Sequence, residues 1–195
     1  MRLYKLENSY VTNCRGKEVV HVIASAGKRP LIDRMLGAAL LEPEAYQEVA
    51  LVPSTRVHAA LIVGISAAAA GLGGLGGGLT GLVLGSLAAV FGWGLYCFAV
   101  SWTATNRFGV PRTAANWGAT WRTLALASSP RVFLVLTFVP AVGFLVGLAV
   151  HAWVLITTVL AVREALDLEA RPAIATAVIG MLPMLLVWAL VAALV

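Results

Sequence analysis

Apolar residues run almost unbroken from Val57 to Leu75, from Leu79 to Ala104, from Leu124 to Val162 and from Pro172 to Val195, and within these runs only Arg131 carries a fixed charge. A bilayer core of ~30 Å takes about 20 apolar residues as helix. The first two runs therefore predict one crossing each, the second long enough to tilt, with Trp93, Tyr96 and Trp102 as interfacial or packing aromatics. Leu124 to Val162 is too long for one crossing and suits two short ones, with Pro140 interrupting it. Upstream, Leu31, Ile32, Met35, Leu36, Ala39 and Leu40 recur at helical spacing while Asp33, Arg34 and Gly37 fall elsewhere. That pattern predicts an amphipathic helix, lying at the membrane interface or packed on its own bundle. Residues 1–30 mix charge with β-branched residues and carry no clear period. They read as a cytosolic extension, residues 31–56 as an amphipathic or interfacial segment, and residues 57–195 as the membrane domain.

Charge placement sets the count. Arg107, Arg112 and Arg122 follow the second run, and the link REALDLEAR precedes the last. A single kinked helix over Leu124 to Val162 would put these groups on opposite faces of the bilayer. A hairpin turning at VPAVG puts both on the face of the N-terminal region, as the positive-inside rule prefers. The expected fold is an all-α integral membrane protein of five transmembrane helices in the inner membrane, N-terminus cytosolic and C-terminus on the far side. Both far-side turns, GGLGGG and VPAVG, are uncharged.

Composition agrees: 60% of residues are hydrophobic and 12% charged. The formal charge of +5 does not gather into an arm or stripe, so no nucleic-acid partner is expected. GLGGLG, Gly71 to Gly76, matches the dinucleotide fingerprint G-x-G-x-x-G. That chemistry needs a strand before the glycines and an acidic residue about 20 positions on, whereas no Asp or Glu lies between Glu48 and Glu164. The motif reads as a tight turn and no cofactor is expected. Cys14 and Cys97 sit in different environments, with no Cys/His cluster, so neither a disulfide nor a metal site is expected. Residues 1–30 hold no uninterrupted apolar stretch of the signal-peptide kind, and insertion is expected to rest on the chain's own helices.

Arg131 is the awkward residue. Nine positions beyond Arg122, it would sit ~13 Å deeper on an unbroken helix, where a charge costs at least ~2.5 to 3.5 kcal/mol. Either it marks a polar pocket, ion path or lipid or partner contact, or the Ser128-Ser129-Pro130 step breaks the helix and lets it snorkel to water. The second is preferred because no carboxylate partner is apparent. Pro130, Pro140 and Gly143 are the expected helix breaks and turns, framing a short third helix with its core at Val132 to Val139. His58 and His151 each stand alone, with no acid nearby. Gly64, Ala68 and Gly71, with Gly81 and Gly85, have the small-xxx-small spacing that lets helices approach closely, within the chain or between copies.

Several of these features together carry a resemblance: a small-residue run ending in Ser129-Pro130, an apolar helix ending in Pro140 with Gly143 after it, Trp153 in the next helix, and Arg163-Glu164-Ala165-Leu166 before an alanine-rich last span. In their order and spacing, together with RMLGAALLEPEAYQEV upstream, residues 31–195 resemble the Yip domain, the membrane module of the Ypt/Rab-interacting proteins and their bacterial relatives. The resemblance implies five spans with a cytosolic N-terminus. For eukaryotic members it also implies binding of prenylated Rab-type GTPases, but no DLYGP-type motif is present and such a partner is not expected. The composition, with arginine far outnumbering lysine, suits a bacterial member.

The expected function is non-enzymatic: organising or scaffolding the membrane, or serving as accessory subunit of a membrane complex, with membrane lipids and other membrane proteins or a second copy as partners. A small transporter or channel is the alternative, set back by the few polar groups in the spans and the lack of an inverted repeat. An intramembrane enzyme is third, because the spans offer no carboxylate to orient a triad or form a dyad.

Overall fold

Proline and glycine punctuate the helices. Pro43 opens α2 (Pro43–Leu51), where its missing N–H would be unpaired anyway. It follows α1 (Leu31–Ala39). A 3₁₀ turn at Pro53–Thr55 leads into α3 (Arg56–Gly73). A second turn at Gly74–Gly77 leads into α4 (Gly78–Arg107). Then come α5 (Trp117–Ala127), a 3₁₀ helix at Ser129–Phe138, α6 (Gly143–Leu166) and α7 (Ala170–Ala192). The structure, a computed structural model, describes residues 29–111, 117–139 and 142–193, and these contain no strand. Pro140, Arg112, Cys14 and the N-terminal extension through residue 28 lie outside the described residues.

Three helical stretches are long and apolar enough to cross a membrane: Pro53–Arg107, Gly143–Leu166 and Ala170–Val191. As one rod the first, 55 residues long, would measure ~80 Å, far more than a bilayer. It is folded in two at the glycine turn. Gly78 sits at φ +67°, a conformation side chains resist, and reverses the chain. The arms then close on one another: a Cβ on Gly71 would lie 2.7 Å from the Leu82 carbonyl oxygen, and one on Gly85 3.1 Å from that of Ala70. A Cβ on Gly74 would meet the Gly81 carbonyl at 2.5 Å. Contact fades within two turns, since at Gly64 nothing lies within 4 Å and Ala68 faces outward. The small-residue stripe thus divides: Gly71, Gly81 and Gly85 pack inside the chain, and Gly64 and Ala68 stand on its surface. Helices that cross at an angle separate in this way from their point of closest approach.

Large side chains face out and small ones in. Phe91, Phe98, Phe144, Leu148 and Leu186 are exposed, while Ala88, Ala89, Ala104, Ala173 and Ala177 are buried. This is the arrangement expected where lipid solvates the outside and close backbone approach holds the inside. Gly92 lets Met184 of α7 approach α4, and the Tyr96 hydroxyl bonds Thr158 of α6 at 2.5 Å.

The amphipathic segment docks with its polar side inward. Arg34, Gly37 and Ala38 of α1 are buried, whereas Ile32, Leu36 and Leu40 are 68%, 56% and 69% exposed. The sequence pattern placed Arg34 and Gly37 away from the apolar face, and the bundle takes up that other side. Of the apolar row, Ile32, Leu36 and Leu40 face outward while Leu31 and Met35 pack against the core, and of Asp33, Arg34 and Gly37 only Asp33 is exposed. The Trp153 indole of α6 donates to the Ala39 carbonyl at 3.0 Å, so the end of α1 leans against the middle of α6.

Candidate functional site

The break at Pro130 is where the chain concentrates its buried polar groups. Proline offers no N–H, so the Leu126 carbonyl four residues back loses its helical donor. Ser129 Oγ donates to it at 2.6 Å. Arg131 N turns to the Ser128 carbonyl at 2.9 Å, a three-residue step that begins the 3₁₀ helix and leaves the Ala127 carbonyl open. Thr157 Oγ1 of α6 donates to that oxygen at 2.8 Å, and Ser66 Oγ of α3 to the Ser128 carbonyl at 3.2 Å. Every carbonyl loosened by the proline thus finds a hydroxyl or amide, as backbone in a lipid-surrounded bundle requires.

The short third helix expected around Val132 to Val139 is present, wound as a 3₁₀ helix rather than an α-helix. At ~2.0 Å per residue its 10 residues extend ~20 Å, about 5 Å more than α winding gives. Close approach on both sides holds it: a Cβ on Gly73 would collide with the Leu134 carbonyl, and one on Gly143 with that of Thr137. The second contact also shows that the chain reverses between Thr137 and Gly143, with Gly143 N bonded to the Val139 carbonyl at 2.8 Å.

Arg131 does not snorkel. Its side chain is 3% exposed, Nη2 donates to the Met184 sulfur of α7, and Nε has no partner. Leu124 to Ser129, one route to an interfacial Arg131, is buried inside the bundle. The helix does break at Ser128–Pro130, but the break turns the guanidinium toward α7 rather than toward water. Tyr96, Cys97 and His151 are its electrostatic neighbours. His151 donates from Nδ1 to the Gly147 carbonyl at 2.7 Å, which fixes that tautomer, and meets Trp188 edge-on at 6.3 Å. It lines a cavity of about 490 Å³ walled by Ala70, Gly73, Leu134, Thr137 and Gly143.

A second polar cluster joins the amphipathic segment to the bundle. Arg34 donates from Nη2 and Nε to Glu48 Oε1 at 2.7 and 3.1 Å, with both side chains buried. Its Nη1 donates to His58 Nδ1 at 2.6 Å. His58 is therefore not solitary: α1 and α2 fold over the start of α3 and bring it an arginine and, through that, a carboxylate. Arg122 donates from Nε to the Val49 carbonyl at 3.1 Å and from Nη2 to that of Ala50 at 3.0 Å, capping the end of α2 where a cation suits the helix dipole. Gln47 bonds Glu164 at 2.9 Å, tying α2 to the far end of α6. The buried Tyr46 hydroxyl donates to the Ala38 carbonyl at 2.8 Å, and burial pushes its ionisation well above the ordinary phenol range.

Sequence reasoning missed Arg34, Glu48 and Arg122 as structural residues, and Ser66, Ser129 and Thr157 as caps for the proline break. Among the described residues no three His, Cys, Asp or Glu side chains gather as a metal would need. Gly71 to Gly73 end α3 and Gly74 to Gly76 lie in the 3₁₀ turn that follows, with no strand before them among the described residues. Compared with known family models, with curated proteins and with solved structures, the chain matches none.

Proposed function

We propose that this chain is a non-enzymatic, multi-pass membrane protein of the Yip type that organises or scaffolds the bilayer, or serves as accessory subunit of a membrane complex. Its five crossings are α3, α4, the α5 and 3₁₀ stretch Trp117–Phe138, α6 and α7. The third is the unusual one: 11 α residues and 10 3₁₀ residues together extend ~36 Å, enough for a ~30 Å core. With residues 31–56 at the cytosolic interface of a bacterial membrane, α4 and α6 both return their basic ends, Arg107 and Arg163, to the same side. The Gln47–Glu164 bond fits this, because it needs the amphipathic segment and the α6–α7 link on one face.

The observation that carries the non-enzymatic reading is the use of the interior hydroxyls. Ser66, Ser128, Ser129, Thr157 and Thr158 all donate to backbone carbonyls. Groups engaged in this way offer no activated nucleophile, and the two buried hydroxyls left without a partner, Thr103 and Thr176, bond no base that could activate them. Membrane lipids, and other membrane proteins or a second copy meeting the outward Gly64 and Ala68, are the partners this surface suits. A Rab-type GTPase is not. Purification in mild detergent followed by mass spectrometry tests the proposal: a stable companion complex supports the accessory form, the bare chain with lipid supports bilayer organisation, and a small-molecule turnover activity retained by the pure protein contradicts both.

One observation favours a transporter instead: the buried Arg131, with Nε unpartnered, near His151 and its cavity of about 490 Å³. A buried arginine that serves only packing is replaceable by an apolar side chain of similar shape. Arg131→Met should therefore leave both fold and phenotype intact on the scaffold reading. Loss of anion flux in proteoliposomes on that substitution would establish the transporter.

A further inference from the structure

The last four carbonyls of a helix find no regular partner within it, and at an exposed end they turn to water. In α1 these are Leu36 to Ala39, and each accepts a bond from the protein. Leu36 takes Leu40 N at 2.8 Å, Gly37 takes Glu42 N at 2.8 Å and Ala38 takes Leu41 N at 3.1 Å, a reversal built around Leu41 at φ +65°. Ala38 also accepts from the Tyr46 hydroxyl, and Ala39 from the Trp153 indole at 3.0 Å. A helix end closed in this way suits hydrocarbon, where no water serves the backbone. Trp153 fixes its depth. That residue lies eleven positions before Glu164, ~16 Å along α6, and Leu41 lines a cavity with Leu155 and Ile156 just beyond it. At the other end of the α1–α2 hairpin, Gln47 bonds Glu164 and Arg34 bonds His58, next to Arg56 where α3 begins. The hairpin thus keeps its polar ends level with the ends of α3 and α6 and its tip level with the middle of α6.

We infer that α1 and α2 form a re-entrant hairpin, which enters the cytosolic leaflet with Leu40 and Leu41 leading and lays Ile32, Leu36 and Leu40 against its acyl chains. With Glu164 among the headgroups, an interfacial belt of about 5 to 7 Å leaves the tip roughly 10 Å into hydrocarbon, inside the ~15 Å of one leaflet. The polarity of α1 selects the same surroundings. A helix on a water-facing surface turns its polar side outward, whereas α1 buries Arg34 against the bundle and presents Ile32, Leu36 and Leu40. The carboxylates stay shallow. Asp33 stands beside Arg34 near the entry, and Glu44 lies three residues, ~5 Å, from Gln47. Glu42 folds back along α1, its Oε2 2.7 Å from where a Cβ on Gly37 would sit and 4.0 Å from Arg29 Nη1. All three therefore belong to the interfacial belt, and the aliphatic tip alone goes deeper.

The inference rests on the multi-pass reading in one respect, that α6 crosses a bilayer. The test uses the full-length chain carrying Cys14→Ser and Cys97→Ala, reconstituted in dioleoyl phosphatidylglycerol vesicles, with a nitroxide on one cysteine at a time. Ile32→Cys, Leu36→Cys and Leu40→Cys report on α1, and Ile156→Cys and Arg163→Cys mark depth along α6. These side chains all point outward, so the labels leave the packing unchanged. Electron paramagnetic resonance reads collisions with molecular oxygen, which dissolves in hydrocarbon, and with a nickel chelate, which stays in water. The oxygen-to-nickel ratio should rise from position 32 through 36 to 40, and at 40 should reach the value at 156. Equal ratios at the three positions would lay α1 flat at the interface, and a ratio at 40 as low as that at 163 would put the tip in water. Either result overturns the re-entrant hairpin and leaves the crossings standing. A low ratio at 156 as well would take α6 out of the bilayer and overturn the multi-pass reading with it.

Discussion

The Thr157 hydroxyl of α6 donates to the Ala127 carbonyl at 2.8 Å, closing from a neighbouring helix the gap that Pro130 opens in its own. The same proton also faces the Val154 carbonyl at 2.9 Å, so the link across the helices is shared. Such bonds in membrane bundles average ~0.6 kcal/mol and reach ~1.7. Thr157→Val should cost about 1 kcal/mol and Thr157→Ser almost nothing, measured by reversible unfolding in mixed micelles. Equal stability of all three would show that the carbonyl at the break needs no partner.

Arg34 and Glu48 form a buried pair, with Arg29 3.8 Å from the second Glu48 oxygen and His58 on Arg34. Arg34→Met or Glu48→Leu alone should each destabilise by up to ~3 kcal/mol, less than a wholly stranded buried charge because these neighbours remain, and the double substitution should recover part of that loss. A double-mutant cycle on the same unfolding measurement checks this. Strict additivity would mean that the pair does not couple α1 to α2.

What could be read from the chain, and what could not, follows from the range over which each force acts. Lipid acts on every residue of a helix, so the apolar runs at Val57 to Leu75 and Leu79 to Ala104 mark their elements directly. Pro130 announces its break because the missing N–H is a property of one residue. The winding of Ser129–Phe138 is not visible, since over 10 residues the same apolar pattern suits α and 3₁₀ turns alike. The 3₁₀ stretch is flanked by close backbone approaches at Gly73 and Gly143, which come from elements distant in the chain. Nor is the pairing of His58, because Arg34 lies 24 positions away and meets it only once α1 and α2 have folded back. Arg131 misled for a related reason: with no carboxylate in reach along the sequence, water was the expected partner, and the sulfur of Met184, 53 positions on, took that place.

The glycines separate by position. Gly71→Ala puts a methyl group against the Leu82 backbone carbonyl and should destabilise the hairpin by at least ~1 kcal/mol, whereas Gly64→Ala meets open space and should stabilise α3 by up to ~1 kcal/mol. Gly64→Leu then reports on the outer face. If a second copy or another subunit packs there, sedimentation in detergent should show a smaller assembly with the fold unchanged.

The proposed bundle crosses the membrane five times, with the amphipathic segment and both charged links on the cytosolic face. It is tested most directly by single cysteines at Gly76, Arg107 and Glu164 in a chain carrying Cys14→Ser and Cys97→Ala, labelled from outside intact cells with a membrane-impermeant maleimide. Position 76 alone should be labelled, with positions 107 and 164 reacting only after the cells are opened. Labelling of position 164 from outside would put the α6–α7 link on the far side, remove one crossing and contradict it.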